Sequence, residues 1–172
     1  MIILRKLTRA DATAYRDLRL LALRESSAAF GSSYEQESVH PLGFFEGRLA
    51  EDTNRIVMGA FDGDRLVGVV VFVRDDGIKA RHRGTIYSMY VHPEWRRRKI
   101  GRMMLQELLT EVEQLPGMRW VRLTVTAGND SAQGLYESLG FTVYAEEPEV
   151  LFIDGVFYAE RHMLRKIPLN PS

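Results

Sequence analysis

The run Leu66-Val67-Gly68-Val69-Val70-Val71-Phe72-Val73 is the strongest constraint in this sequence. It is too short for a usual helix, and its valine content suits a pleated strand. Side chains on a strand alternate between faces, so a run without polar residues is buried on both. The chain must place this strand inside a covered sheet. Asp62-Gly63 before it and Asp75-Asp76-Gly77 after it read as turns.

The remaining elements follow from spacing. Residues 2–7 read as a short strand, and Thr8 or Asp11 can cap the helix after it. Tyr15, Leu18, Leu21, Ala22 and Glu25 recur at helical intervals and give that helix one inward stripe. Gly31-Ser32-Ser33 breaks it. A second helix is expected from Pro41 to Asp52, with Phe44, Phe45 and Leu49 inward and Pro41 in its first turn. Arg55 to Phe61, Leu66 to Val73 and Thr85 to Val91 form an antiparallel meander, ended by His92-Pro93. Ile100 to Leu115 is an amphipathic helix, with Met104, Leu105, Leu108, Val112 and Leu115 inward and Pro116-Gly117 as its stop. Trp120 to Thr126 alternates as a strand, Asp130 to Leu139 is a short helix closed by Gly140, and two strands flank Asp154-Gly155. The helix over 100–115 joins two strands as a crossover, which makes a parallel pair and a mixed sheet. No repeat or Pro/Ser-rich linker divides the chain, so one domain over residues 1–172 is expected.

Composition narrows the function classes. Lys plus Arg number 23 and Asp plus Glu 23, a net charge of zero that argues against a general polyanion binder. Cysteine is absent, which removes disulfides, thiolate zinc sites and a cysteine nucleophile. His40, His82, His92 and His162 are scattered without ligand spacing, so no metal is implied. No stretch reaches the ~18 apolar residues of a membrane span, and Met1 to Lys6 is charged too soon for a signal peptide. A soluble cytoplasmic protein with no nucleic-acid or membrane partner is expected.

The stretch from Val91 to Leu105 carries the chemistry: a strand ends, a basic loop follows, and a helix begins. The first N–H groups of a helix lack internal partners and favour a phosphate. Gly101 permits close backbone approach. Arg96, Arg97, Arg98, Lys99 and Arg102 add positive charge. The pattern favours a phosphorylated ligand, although a solvated basic turn has the same composition.

Residues 119–141 extend the pattern, and with them the chain resembles the GNAT superfamily of acyl-CoA-dependent N-acyltransferases. Val91, Pro93, Arg96 and Gly101 match the family's first block, and Asn129, Ala132, Tyr136, Gly140 and Phe141 its second, at family spacing. One position departs: the family's first loop glycine is Lys99 here. A lysine serves there if its φ is negative.

The resemblance implies an α/β (α+β) fold with a mixed, mostly antiparallel sheet of about seven strands flanked by about four helices. It implies acetyl transfer from acetyl-CoA, as cosubstrate, to a primary amine by direct attack in a ternary complex, without a metal. Backbone at Met89, Tyr90 and Val91 then pairs with the pantetheine arm. The amides of Arg97, Arg98, Lys99, Ile100, Gly101 and Arg102 take the pyrophosphate, with Arg96 in the same cofactor-binding loop. Asn129 looks like a pantetheine ligand, or else a helix cap. Tyr136 looks like both a cofactor contact and the general acid that protonates the thiolate, the reference pKa values of thiol and phenol lying near ~8.5–10; a packed helix tyrosine is the alternative.

The acceptor side is less defined. Some relatives carry a glutamate where this chain has Tyr87 and Thr124, so deprotonation falls to water or to a base elsewhere, with Glu35, Glu37 and Glu149 as candidates. Phe30, Tyr34 and Glu35 lie where family members build the acceptor pocket, and a packed turn is the other reading. Phe152 and Tyr158 are candidates for its far wall. The acceptor is a small-molecule amine or a protein N-terminus, and the family habit is compatible with a homodimer. A non-catalytic acyl-CoA sensor on the same fold is the competing function.

Overall fold

A computed structural model describes residues 1–168. The strands are β1 (Ile2–Lys6), β2 (Arg55–Asp62), β3 (Arg65–Arg74), β4 (Arg83–Val91), β5 (Trp120–Thr126), β6 (Thr142–Ile153) and β7 (Val156–Lys166). The α-helices are α1 (Ala12–Glu25), α2 (Tyr34–Ser38), α3 (Leu42–Arg48), α4 (Ile100–Glu113) and α5 (Asp130–Ser138). The strands form one seven-stranded sheet in the order β1-β2-β3-β4-β5-β7-β6. Only β4 and β5 run parallel among its neighbours, across the α4 crossover.

The apolar run behaves as its composition requires. Val67, Val70 and Phe72 of β3 pack into the core beneath α4, while Leu66, Val69 and Val71 pack into the core beneath α1 and α3. Each face of the strand is removed from water, which stabilises by ~25 cal/mol per Å² of apolar area. Gly84 of β4 lets the Phe72 ring lie against the backbone; a Cβ there would sit 2.3 Å from that ring.

Turn chemistry sets the hairpins. Gly63, at φ +59°, lies between paired Asp62 and Arg65. Asp154 and Gly155, at φ +48° and +79°, link β6 to β7 with two left-handed residues. Gly140, at φ +86°, ends α5.

Three expectations need correction. The helix expected over Pro41–Asp52 is shorter, Leu42–Arg48, and ends with Leu49 buried and Asp52 outside it. The segment after Ser33 is a helix of its own, α2: Ser33 accepts from the Gln36 N–H at 3.2 Å and the Gln36 side chain accepts from the Ser33 N–H at 3.0 Å. Among the described residues the α-helices therefore number five. On α1, Tyr15, Leu18 and Ala22 are buried as expected, but Leu23 is buried while Leu21 and Glu25 are exposed. Arg19 occupies the inward face because Glu37 is there to receive it.

Among the described residues no helix is long and apolar enough to cross a membrane.

Candidate active site

The parallel ladder between β4 and β5 is short. It pairs Arg83, Gly84 and Thr85 with Trp120, Val121 and Arg122, and then stops. Beyond it the strands diverge, leaving the β5 side of Ile86–Val91 without a strand partner. A bulge in β4 widens the gap: its register with β3 shifts between Val69 and Val71, and Ser88 takes φ +55°.

A cleft of about 1090 Å³ occupies this wedge. Met89, Tyr90 and Val91 form one wall. Arg96, Arg97, Lys99, Ile100, Gly101 and Arg102 form the rim at the start of α4. Asn129 and Tyr136 line the α5 side, and Phe30 the α1 side.

The loop before α4 is coiled tightly. Arg97 and Lys99 have φ +64° and +61°, and Lys99 is the N-cap of α4. Left-handed residues alternating with others turn successive N–H groups into one concavity, which suits an anion. The left-handed Lys99 overturns the expectation of a negative φ. A glycine pays little for this conformation, whereas an L-residue carries roughly 1–2 kcal/mol. Arg98 does not line the cleft; its guanidinium lies 5.9 Å from the Trp95 ring.

Arg96 is held from behind. It donates to Glu25 at 2.9 and 2.5 Å and from Nε to the Val91 carbonyl at 3.0 Å. Tyr90 donates its hydroxyl to the same Glu25 carboxylate at 3.1 Å. These contacts, with the Arg96 hydrogen bond largest, hold the Glu25 carboxyl down at about 2. Burial pushes the Tyr90 phenol up to about 12, with the Glu25 charge adding to it.

Asn129 caps α5, its Oδ1 accepting from the Ala132 N–H at 3.2 Å. Among the described residues its amide nitrogen has no hydrogen-bond partner. Tyr136 is 7% exposed and stands edge-on to Phe141 at 6.2 Å. Burial pushes its phenol up to about 12, above the range in which a free phenol and a thiol match. Among the described residues its hydroxyl has no hydrogen-bond partner.

The acceptor-side candidates separate. Phe30 lines the cleft, but Tyr34 and Glu35 do not. The Ser33 cap turns both into α2, where Tyr34 packs under Arg24 at 3.9 Å and Glu35 is exposed. Glu37 is buried in an ion pair with Arg19, at 2.7 and 3.0 Å, and with Arg48 at 3.0 Å. Burial alone would raise its carboxyl, but both arginines overcome that and hold it at about 2, so it is no base near neutral pH. Glu149 is exposed on β6, away from the cleft. Tyr87 and Thr124 face the wedge. Phe152 is exposed beside Phe157 near the hairpin tip, and neither it nor Tyr158 lines the cleft.

Two charged cleft residues were not evident from sequence. Glu160 reaches it because β7 sets this residue opposite Thr126, and among the described residues its carboxylate has no partner. Arg19 lines the cleft and donates to Ser88 Oγ at 3.2 Å, tying α1 to the β4 bulge. Neither pairing has a local sequence signal, because both depend on strand register or a contact between distant segments.

The family model described as acetyltransferase (GNAT) family matches residues 18–141. Over 57 residues the chain is 44% identical to the [ribosomal protein bS18]-alanine N-acetyltransferase of Salmonella typhimurium, covering 33% of this chain and 38% of that protein's length. It is 26% identical over 137 residues to the L-methionine sulfoximine/L-methionine sulfone acetyltransferase of the same organism, covering 72% of this chain and 78% of that protein. The fold is that of a GNAT-family acetyltransferase from Streptococcus pneumoniae, at TM-score 0.83 and 20% identity over 97% of this chain and 100% of that one. It is also that of yncA from Salmonella typhimurium, solved with its cofactor acetyl-CoA, at TM-score 0.81 and 21% identity over 100% of this chain and 97% of that one.

Proposed function

Because the chain belongs to the acetyltransferase (GNAT) family, we propose that it moves an acetyl group from acetyl-CoA to an amine by direct attack in a ternary complex. The observation that carries this reading is the wedge itself: an unpaired β4 edge leads into a coil of amides at the start of α4, with a buried tyrosine opposite. Acetyl-CoA supplies an activated acyl carbon and a thiolate leaving group.

The residues divide the work. Backbone at Met89, Tyr90 and Val91 pairs with the pantetheine arm as an added strand. The amides of Arg97, Arg98, Lys99, Ile100, Gly101 and Arg102 hold the pyrophosphate. Arg96 acts mainly by holding this loop against Glu25 and Val91. Asn129 donates its free amide toward the pantetheine, and a backbone N–H near Val91 stabilises the oxyanion.

The acceptor nitrogen bonds to the carbonyl carbon and the carbon–sulfur bond breaks. The nitrogen's proton passes to Glu160 or a water beside it, and Tyr136 gives its proton to the sulfur. From a phenol at about 12 to an ordinary thiolate, that transfer is uphill by roughly 5 kcal/mol. The same burial raises the proton affinity of a thiolate held beside the ring, which narrows the gap.

The acceptor is a small-molecule amine or a protein N-terminus, the setting cytoplasmic, and the chain a single domain. Thermal unfolding with and without acetyl-CoA tests the cosubstrate. Ligand at 100 times its Kd adds ~2.7 kcal/mol, a rise of roughly 5–11 °C for a chain of this size. No rise overturns the reading; a rise with no thiol released by any amine leaves a binding protein and overturns the enzyme.

A further inference from the structure

A second cavity, of about 360 Å³, opens from the cleft on the sheet face away from α4. Tyr87, Leu123 and Thr124 line both, so the two adjoin. Its far end is polar and cationic. Arg83 and Thr85 come from β4, Arg122 from β5 and His162 from β7. Arg122 is paired with Asp75 at 2.9 Å, and His162 with Glu147 at 3.0 Å. Arg83 is different: among the described residues its guanidinium has no partner.

Thr85 supplies an independent sign. It is 8% exposed, lines this cavity, and its Oγ1 is buried without a hydrogen bond. Burying a hydroxyl unpaired carries its full desolvation penalty. An apolar residue in place of Thr85 would be the stable choice if nothing met its hydroxyl. A free guanidinium beside an orphaned hydroxyl is a donor set for a carboxylate.

Strand register places this donor set relative to the amine. Glu160 lies opposite Thr126, and Thr85 lies opposite Arg122. Residues 122 and 126 are four apart on β5, roughly 13 Å along the strand, and Thr85 and Glu160 stand on opposite sides of β5, roughly 10 Å across; the backbones are thus about 16 Å apart, and side chains shorten that span from both ends. We propose that the second cavity is an anion subsite of the acceptor site, taking a carboxylate carried roughly 10 Å from the amine to be acetylated. This rests on the acetyltransferase reading and narrows its substrate class: a single α-amino acid is too short, and an acceptor that presents its amine at Glu160 and an acid at Arg83 fits.

Calorimetric titration separates the possibilities without turnover. Triglycine, whose ends stand roughly 9–10 Å apart when extended, is compared with triglycinamide. Gly-Gly-Asp-amide is compared with Gly-Gly-Asn-amide, so the two pairs distinguish a terminal carboxylate from an acidic side chain. At least one acid should bind tenfold or more tighter than its neutral partner. That preference should vanish in Arg83→Gln and fall several-fold in Thr85→Val, whose thermal midpoint should hold or rise. Equal affinity within both pairs, no binding by any of the four, or a preference that survives Arg83→Gln overturns the subsite. Acetyl-CoA titrated into the same proteins is the control. Its Kd should be unchanged in Arg83→Gln, and failure of the wild type to bind it overturns the acetyltransferase reading while leaving the acid preference to be judged by itself.

Discussion

Arg96 grips Glu25 through both terminal nitrogens, at 2.9 and 2.5 Å, across the seam between α1 and the loop that opens α4. The pair is partly exposed, so it contributes little to stability, ~0–1 kcal/mol. Its effect is positional, since the same carboxylate receives the Tyr90 hydroxyl from the cleft wall. Glu25→Gln should raise the KM for acetyl-CoA several-fold while moving the thermal midpoint by no more than ~2–4 °C. An unchanged KM would show that the clamp does not place the loop.

Tyr136→Phe should bind acetyl-CoA as the wild type does and lose turnover by roughly 10²–10⁴-fold. Isothermal titration and a thiol-release assay read the two effects separately. Since burial holds the phenol at about 12, its ionisation should put no alkaline fall in kcat below about pH 11. Full activity in the variant would remove the acid assignment.

Lys99→Gly should stabilise the protein. The lysine sits at φ +61°, and relief of that strain, less the extra chain entropy of glycine, leaves about 1 kcal/mol, or ~2–4 °C in the melting midpoint. The Kd for acetyl-CoA should change little, because on the proposed reading the same backbone amide meets the phosphate in either case. A tenfold weaker Kd would show instead that the ammonium holds the phosphate.

Glu37→Gln should destabilise by roughly 3–5 kcal/mol, since it leaves Arg19 and Arg48 facing an uncharged partner. The pH dependence has a definite sign. The folded-state pKa of Glu37 is lowered from 4.5 to about 2, so its stabilisation is complete above pH ~4.5 and drains away as pH falls through about 2. The gap between wild-type and variant melting temperatures should narrow across that window. A gap that is constant from pH 7 to 2 would show that the charge is not what stabilises.

Elements with their own periodicity were legible in the sequence. The apolar run of β3, the alternation of Trp120–Thr126 and the α4 stripe each reported a local environment, and the β2–β4 meander and the β4–β5 parallel pair followed from turns and one crossover, whereas the place of β7 between β5 and β6 had no local signal. The two motif blocks also placed most of their residues around one cleft. What stayed hidden depends on distant partners. Nothing near Arg19 announces Glu37, so a buried arginine could not be read from the α1 stripe, and Glu37 looked free to act as a base. The short helix α2 hid behind a serine run that also suits a turn. Arg96 sits in a phosphate-loop motif, yet its side chain is committed to a glutamate 71 residues away. Glu160 carries no motif and enters the cleft only through the register of β7.

The sheet is two leaves fastened over the three rungs Arg83–Trp120, Gly84–Val121 and Thr85–Arg122. Past that fastening, the inner edge of one leaf, residues 86–91, has no strand partner among the described residues. Amide hydrogen exchange should therefore be fast along the open edge of β4 and slow a few residues away at the fastening. A ligand that lies along the edge would slow it there first. On the proposed reading, loading the protein finishes its architecture: a rung pattern that the gene leaves incomplete would be written in by the molecule it consumes, and written again at each turnover.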